Sequence, residues 1–259
     1  MPAAPAASSA PGTAGAAALA IFDLDGTISR RDTLLPYLYG YLLRHPARLW
    51  RALLCLGPLL RFALPGRDRG ALKSAIIRHT LGGLTRAQLA EWNRLFLARL
   101  GDGGLFAEAL ERIRIHRNEG ARLVLLSASP DLYVPELARA LGFDECLCTQ
   151  LRWHEDERLD GALLSANRRG EEKVRCVRQL LAAHPGPGRS CAYGNSPADL
   201  AHLVLVSDGY YINGTLPARR ASAAARYAEP GRLRVLSWRT PGRLATGLAL
   251  PAGGGHNPR

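Results

Sequence analysis

The sequence predicts an α/β fold: a doubly wound parallel sheet carrying a helical cap inserted after the first strand. Three observations carry this. A short apolar run, LAIF (19–22), stops abruptly at DLDGT, as a buried parallel strand does when it ends in a polar loop. Strand and helix patterns alternate after residue 103, which requires helices on both faces of a parallel sheet. Between these parts, residues 33–100 show helical periodicity and no strand signal, punctuated at Gly57-Pro58, Pro65-Gly66 and Gly82-Gly83.

The elements follow in order. Residues 1–16, rich in Ala, Pro, Ser and Gly, are expected to be a disordered arm, not a secretory leader, because positive and long apolar regions are both missing. Core segments are expected at 17–32 and 101–240, the cap at 33–100 and a loose tail at 241–259. Within the core, a helix is predicted over 104–118, closed by Gly120. A buried strand follows at 122–129, then a helix from Asp131 to Leu141. Strands at 145–151 and 158–164 flank the polar turn HEDE. A helix spans Glu171–Ala183, and a strand at Ser190–Tyr193 runs into the loop GNSPAD and another helix.

Composition narrows the function classes. The 259 residues suit one α/β domain with an insertion, and a hydrophobic fraction of 47% supports a real core. The formal charge of +12 favours anionic partners. Its arginines are spread along the chain, however, with no basic run interleaved with aromatics, so no nucleic-acid partner is expected. Lysine occurs only at Lys73 and Lys173. The five cysteines lack CxxC spacing, which argues against a zinc site or disulfide framework and for a reduced, cytoplasmic protein.

The predicted strand ends carry polar groups that could converge in one crevice, since ligands of open parallel sheets bind beyond the carboxyl ends. Asp23 and Asp25 end the first strand, Ser127 the second, and Asn195 and Asp199 the last; Lys173 opens the helix between. Two carboxylates two residues apart would share a face of a regular strand and call for a cation, and oxygen ligands suit Mg2+. Asp23 could then attack a phosphoryl group as a nucleophile, with Asp25 as general acid and base. Ser127 and nearby amides at a helix start would hold phosphate oxygens, and Lys173 would neutralise the transferring charge.

Four motifs in this order, FDLDGT (22–27), LVLLSAS (123–129), GEEK (170–173) and YGNSPAD (193–199), resemble those of the haloacid dehalogenase superfamily of phosphatases. The cap between the first two, LDG (159–161), and Ile212-Asn213 resemble the phosphoserine-phosphatase-like branch, subfamily IB. The resemblance implies an aspartyl-phosphate intermediate on Asp23. It also implies phosphate contacts from Thr27, Ser127 and Ala128, and an Mg2+ site from the Asp23 side chain, the Asp25 carbonyl and the first polar residue of motif four. That residue is often Asp in the family and is Asn195 here; Asp199 could supply the missing charge.

Asp32 has two readings: N-cap of the next helix, or contact with a substrate amine, as a glutamate near this position makes in phosphoserine phosphatases. The cap stretch 49–64, LWRALLCLGPLLRFAL, is too short to span a membrane. It either packs on neighbouring helices or lies at the surface of an anionic membrane. Its apolar character also resembles a phosphatidylglycerophosphate phosphatase of the same branch, so the substrate class is a small phosphoserine-like ester or a lipid phosphate. His154, His184 and His202 are expected at the surface. Two other activities fit the residues: a non-catalytic module that binds a membrane or partner, and a phosphotransferase to an acceptor other than water.

Overall fold

The computed structural model describes residues 17–63, 68–184, 188–215 and 233–244. The expected arm at 1–16 and most of the expected tail lie outside them. The chain opens with strand β1 (Ala17–Phe22), followed by helix α1 (Leu34–Arg44), a 3₁₀ segment (Pro46–Cys55), α2 (Leu56–Ala63), α3 (Arg69–Leu81) and α4 (Arg86–Gly101). Next come β2 (Asp102–Phe106), α5 (Ala107–Asn118), β3 (Arg122–Pro130), α6 (Val134–Leu141), β4 (Glu145–Thr149), β5 (Leu151–Trp153) and β6 (Leu159–Leu163). The described chain ends through α7 (Glu171–Ala183), β7 (Arg189–Gly194), α8 (Leu200–Leu203), β8 (Asp208–Ile212), β9 (Leu233–Leu236) and β10 (Pro241–Arg243).

Six strands form one parallel sheet in the order β4-β3-β1-β7-β8-β9. The first strand lies inside it, with Phe22 beside Leu125 on one side and Tyr193 on the other. Successive side chains of a strand point to opposite faces, so both faces must be apolar where helices cover both. Ala20, Phe22, Leu123 and Leu125 pack into the cluster shared with α5, α6 and the inserted helices. Leu19, Ile21, Val124 and Leu126 face the other way, onto Val177 and Leu180 of α7 and Leu200 and Leu203 of α8. Two-sided burial explains why LAIF and LVLL read as unbroken apolar runs.

The insertion after β1 is helical, as expected. α4 starts with a capping box in which Thr85 and Gln88 satisfy each other's backbone amides. Asn93 of α4 accepts the Tyr37 hydroxyl at 2.7 Å and donates to the Leu132 carbonyl at 2.6 Å, joining the helices to the segment after β3. The β5–β6 hairpin lies under α3, where a Cβ on Gly161 would stand 2.7 Å from the Arg78 Cα. At φ +86° this position takes glycine for both space and backbone conformation.

Several expectations need correction. The predicted helix over 104–118 begins only at Ala107, because Asp102–Phe106 form β2 with Gly103 at φ +85°. The partner of β2 is β10, so Pro241–Arg243 belong to a two-stranded antiparallel sheet, not to a loose tail. The strand predicted at 145–151 divides: Glu145–Thr149 joins the main sheet and Leu151–Trp153 turns into the hairpin. The helix predicted from Asp131 starts at Val134.

Candidate active site

The residues singled out from the motifs converge at the carboxyl edge of the sheet in hydrogen-bonded groups. The first joins motifs one, three and four. Lys173, in the first turn of α7, donates to Asp23 Oδ1 at 2.7 Å and to Asp199 Oδ1 at 2.8 Å. All three side chains are buried. Thr27 Oγ1 lies 3.5 Å from the second Asp23 oxygen. Asp199 Oδ2 accepts the amide and hydroxyl of Ser196 at 2.9 and 2.7 Å. Burial pushes the Asp23 carboxyl up to about 7, against the pull of Lys173. Burial also opposes charge on Lys173, yet Asp23 and Asp199 hold its ammonium above the ordinary lysine value. Asp199 goes the other way: despite burial, Lys173 holds its carboxyl well below the usual carboxylate range.

A second group surrounds Asp25. Asp23 and Asp25 lie beyond the end of β1, so the shared-face argument for a regular strand does not apply. Asp25 Oδ1 accepts the Thr33 amide and hydroxyl at 2.8 and 2.6 Å, and Oδ2 accepts the Ser129 hydroxyl at 2.6 Å. Thr33 Oγ1 is also 2.8 Å from the Tyr133 hydroxyl. Burial raises the Asp25 carboxyl above its ordinary value, against the hydrogen bonds from Ser129 and Thr33. A carboxyl that holds its proton more tightly suits a proton donor.

The third group ties α3 to motif two. Lys73 Nζ donates to the Ala128 carbonyl at 2.5 Å and to Asn167 Oδ1 at 2.6 Å. Thr149 Oγ1 donates to the same carbonyl at 2.8 Å. Burial lowers Lys73 to about 8, with Asp25 pulling the other way. Ser127 is fully buried, and its Oγ accepts the Ser129 amide at 3.0 Å, which leaves its own proton for an anionic oxygen. A cavity of about 480 Å³ opens beside these residues, between Asp68, Arg69 and Gly70 of the inserted helices and Asn167, Arg169, Gly170 and Ala198.

Among the described residues, no group of three or more His, Cys, Asp or Glu side chains is arranged to hold a metal. A magnesium site of one carboxylate, a backbone carbonyl and an amide oxygen contains no such group, and the donor set implied by the motifs is of this kind. A Cβ on Gly26, at φ +76°, would collide with the Asn195 amide, so motif four lies directly on the motif-one loop between Asp25 and Thr27. Asp23, the Asp25 carbonyl and Asn195 therefore fit an oxygen-ligated Mg2+ that keeps several waters. Asp199 meets Lys173 through one oxygen and Ser196 through the other.

Asp32 is exposed; the N-cap of α1 is Thr33, not Asp32, but Asp32 Oδ1 reaches from one residue earlier to accept the Leu35 amide at 3.1 Å. His202 is not at the surface as expected: it is 1% exposed beside Asp199, and burial, then Lys173, take it down to about 3. It is therefore neutral near pH 7, and no ion pair with Asp199 forms. Thr33, Ser129, Tyr133, Asn167, Ser196 and Lys73 were not foreseen. Only Lys73 carried a signal, as one of two lysines in a chain with 34 basic residues.

Residues 20–203 match the model of the haloacid dehalogenase-like hydrolases. The chain is 35% identical to the protein CicA of Caulobacter vibrioides over 77% of its own length and 88% of that protein. It is 26% identical to a probable phosphatase of Mycobacterium tuberculosis over 90% of its length and 79% of that protein. Among solved structures, a phosphoserine phosphatase captured as a phospho-aspartyl intermediate analogue shares the fold, with a TM-score of 0.54 at 13% identity over 85% of this chain and 93% of the other. With its four motifs gathered at one sheet edge and a helical insertion after β1, the chain belongs to the haloacid dehalogenase-like hydrolases and has the fold of their phosphoserine-phosphatase-like branch.

Proposed function

We propose that the crevice hydrolyses phosphate monoesters through a covalent aspartyl-phosphate on Asp23. The observation that carries this reading is the buried Lys173 ammonium shared by Asp23 and Asp199, with Asp25 held separately by Thr33 and Ser129. A structural ion pair needs neither the second aspartate of motif one nor a serine with a free proton beside it.

In the first step an Asp23 carboxylate oxygen attacks phosphorus, and the bond from phosphorus to the ester oxygen breaks. Asp25 gives its proton to the departing alkoxide. In the second step Asp25 takes a proton from water, whose oxygen displaces phosphate from Asp23. Ser127 and Thr27 hold phosphoryl oxygens, with the amide of Ala128, and Lys173 balances charge on Asp23 throughout. Mg2+ would be held by Asp23, the Asp25 carbonyl and Asn195, and when bound it screens the carboxylate from the phosphoryl oxygens.

The substrate is a small phosphoserine-like ester or a lipid phosphate. The second choice draws support from the apolar exposed surface of the inserted helices, and it brings a cytoplasmic enzyme into peripheral contact with the inner face of a membrane. The deciding experiment is a screen of phosphoamino acids, sugar phosphates and lipid phosphates with and without Mg2+. Mg2+-dependent phosphate release from one class is the expected result. No release from any class would overturn the reading, and transfer of phosphate to an added alcohol in place of water would replace hydrolysis by phosphotransfer.

A further inference from the structure

Of the twelve large apolar side chains exposed among the described residues, ten lie between Leu35 and Leu60. They fall on three consecutive elements. On α1, Leu35, Tyr39 and Leu43 form an outward stripe at helical spacing, while Tyr37, Leu38, Tyr41 and Leu42 face inward, so this helix is apolar all round. The 3₁₀ segment buries only Cys55, and α2 buries no residue. Helical elements draw most of their stability from packing an apolar face, and these two leave theirs in solvent. Ten residues is also long for a 3₁₀ run, which seldom exceeds three or four.

The charge on the same stretch has one sign. Between Asp32 and Asp68 there are five arginines and no acidic residue. Arg51 is committed to the His79 and Arg78 carbonyls. Arg44 and Arg61 are exposed, and Arg48 has a buried guanidinium nitrogen without a partner. Apposing two copies of this face would bring arginines against arginines, so a second copy fits poorly, whereas a surface of phosphates fits both the charge and the apolar side chains.

We propose that the face formed by α1, the 3₁₀ segment and α2 docks on an anionic lipid bilayer, with its leucines and Trp50 entering the headgroup boundary and Arg44 and Arg61 meeting lipid phosphates. No helix among the described residues is long and apolar enough to cross a membrane, so the attachment is interfacial. The 3₁₀ segment and α2 pack on α3, whose first residues form one wall of the 480 Å³ opening, so docking sets that opening near the lipid surface. The docking stands whether or not the crevice hydrolyses a phosphate ester.

The test uses the full chain and phosphatidylcholine vesicles with or without phosphatidylglycerol, read by co-sedimentation and tryptophan fluorescence. Each arginine near an anionic surface strengthens partitioning by about fivefold, so anionic vesicles should bind the protein at least about tenfold better than neutral ones. Salt that shortens the Debye length to about 3 Å should reverse most of that gain. Trp50 is 60% exposed, so its emission should shift to the blue on binding, and Trp50→Phe should lose the shift. Leu53→Glu/Leu60→Glu replaces two exposed side chains, so the variant should keep its circular dichroism and lose at least about tenfold in binding. Absence of wild-type binding, or undiminished binding by that variant, would overturn the proposal. So would a wild-type dimer in sedimentation equilibrium that the same two substitutions dissolve, because the face would then belong to a second copy. None of these readouts involves turnover, so a failed substrate screen leaves this result standing, and the reverse.

Discussion

Lys173→Met strands two buried carboxylates that share one cation. Its Nζ lies 2.7 Å from Asp23 and 2.8 Å from Asp199, and all three side chains are less than 10% exposed. Removing one partner of a buried ion pair costs about 3–5 kcal/mol, a large part of the ~5–15 kcal/mol that holds a domain folded. Asp23 can relieve some of this by keeping a proton, since its carboxyl already sits at about 7 with Lys173 beside it. The sign follows. The folded value of Asp23 lies above its unfolded value of about 4, so its contribution to wild-type stability falls as pH rises from about 4 to about 7 and is level above that. Without Lys173 the folded value rises further and the fall continues, adding ~1.4 kcal/mol of deficit per pH unit above 7 until Asp23 ionises. Urea unfolding in EDTA should therefore show a larger gap between variant and wild type near pH 8–9 than near pH 6. Lys173→Met/Asp199→Asn strands one charge instead of two, so its loss should be smaller than the sum of the single losses by at least ~1.5 kcal/mol. A single variant within ~0.5 kcal/mol of wild type at both pH values would refute the charge-sharing argument.

Other substitutions separate the remaining roles. Asp23→Asn should abolish turnover, whereas Asp25→Asn, assayed with p-nitrophenyl phosphate, should accumulate a hydroxylamine-labile phosphoenzyme whose hydrolysis is slowed by about 10²–10⁴-fold; full activity in Asp23→Asn would end the covalent mechanism. Lys73→Gln should lower kcat/KM by about tenfold, and Lys73→Arg should not restore it, because acceptors at 2.5 and 2.6 Å suit a compact ammonium better than a planar fork. Burial pushes Asp131 up to about 6, so its charge is a cost that grows as pH rises from about 4 to about 6 and is fully present above that. Asp131→Asn should stabilise the protein by about 1–2 kcal/mol at neutral pH, after discounting for partial exposure, and by almost nothing near pH 4, as thermal melts at the two pH values would show.

Strands buried on both faces were legible because an unbroken apolar run stopped by Asp and Gly has few other solutions. The same logic brought Asp23, Ser127, Lys173 and Asp199 to one edge, since each follows or faces such a run. Asp102–Phe106 were not legible: a strand containing two glycines and pairing with residues 135 or more positions away has no local pattern, and its partner Pro241–Arg243 looked like a tail for the same reason. The contacts of Asp25 with Thr33 and Ser129, and of Thr33 with Tyr133, were hidden because they cross from the core into the inserted helices and back. His202 misled because its short helix packs inward against the sheet, and a histidine there carries no spacing signal.

The use of lysine in this chain ties the site together. Arginine supplies nearly all the positive charge, yet the two lysines are the cations that reach the centre of the crevice. Arginine brings a planar fork of five donors that must all be satisfied, while lysine brings a compact charge with three. Lys173 is 3% exposed and must serve two carboxylates from one point, a task the fork would overfill. Lys73 comes from the opposite side, from α3, and meets a backbone carbonyl of motif two. One ammonium thus belongs to the sheet edge and lies against Asp23, and the other belongs to the inserted helices. The core thus supplies the ammonium that meets Asp23 and Asp199, and the insertion supplies the one that meets motif two.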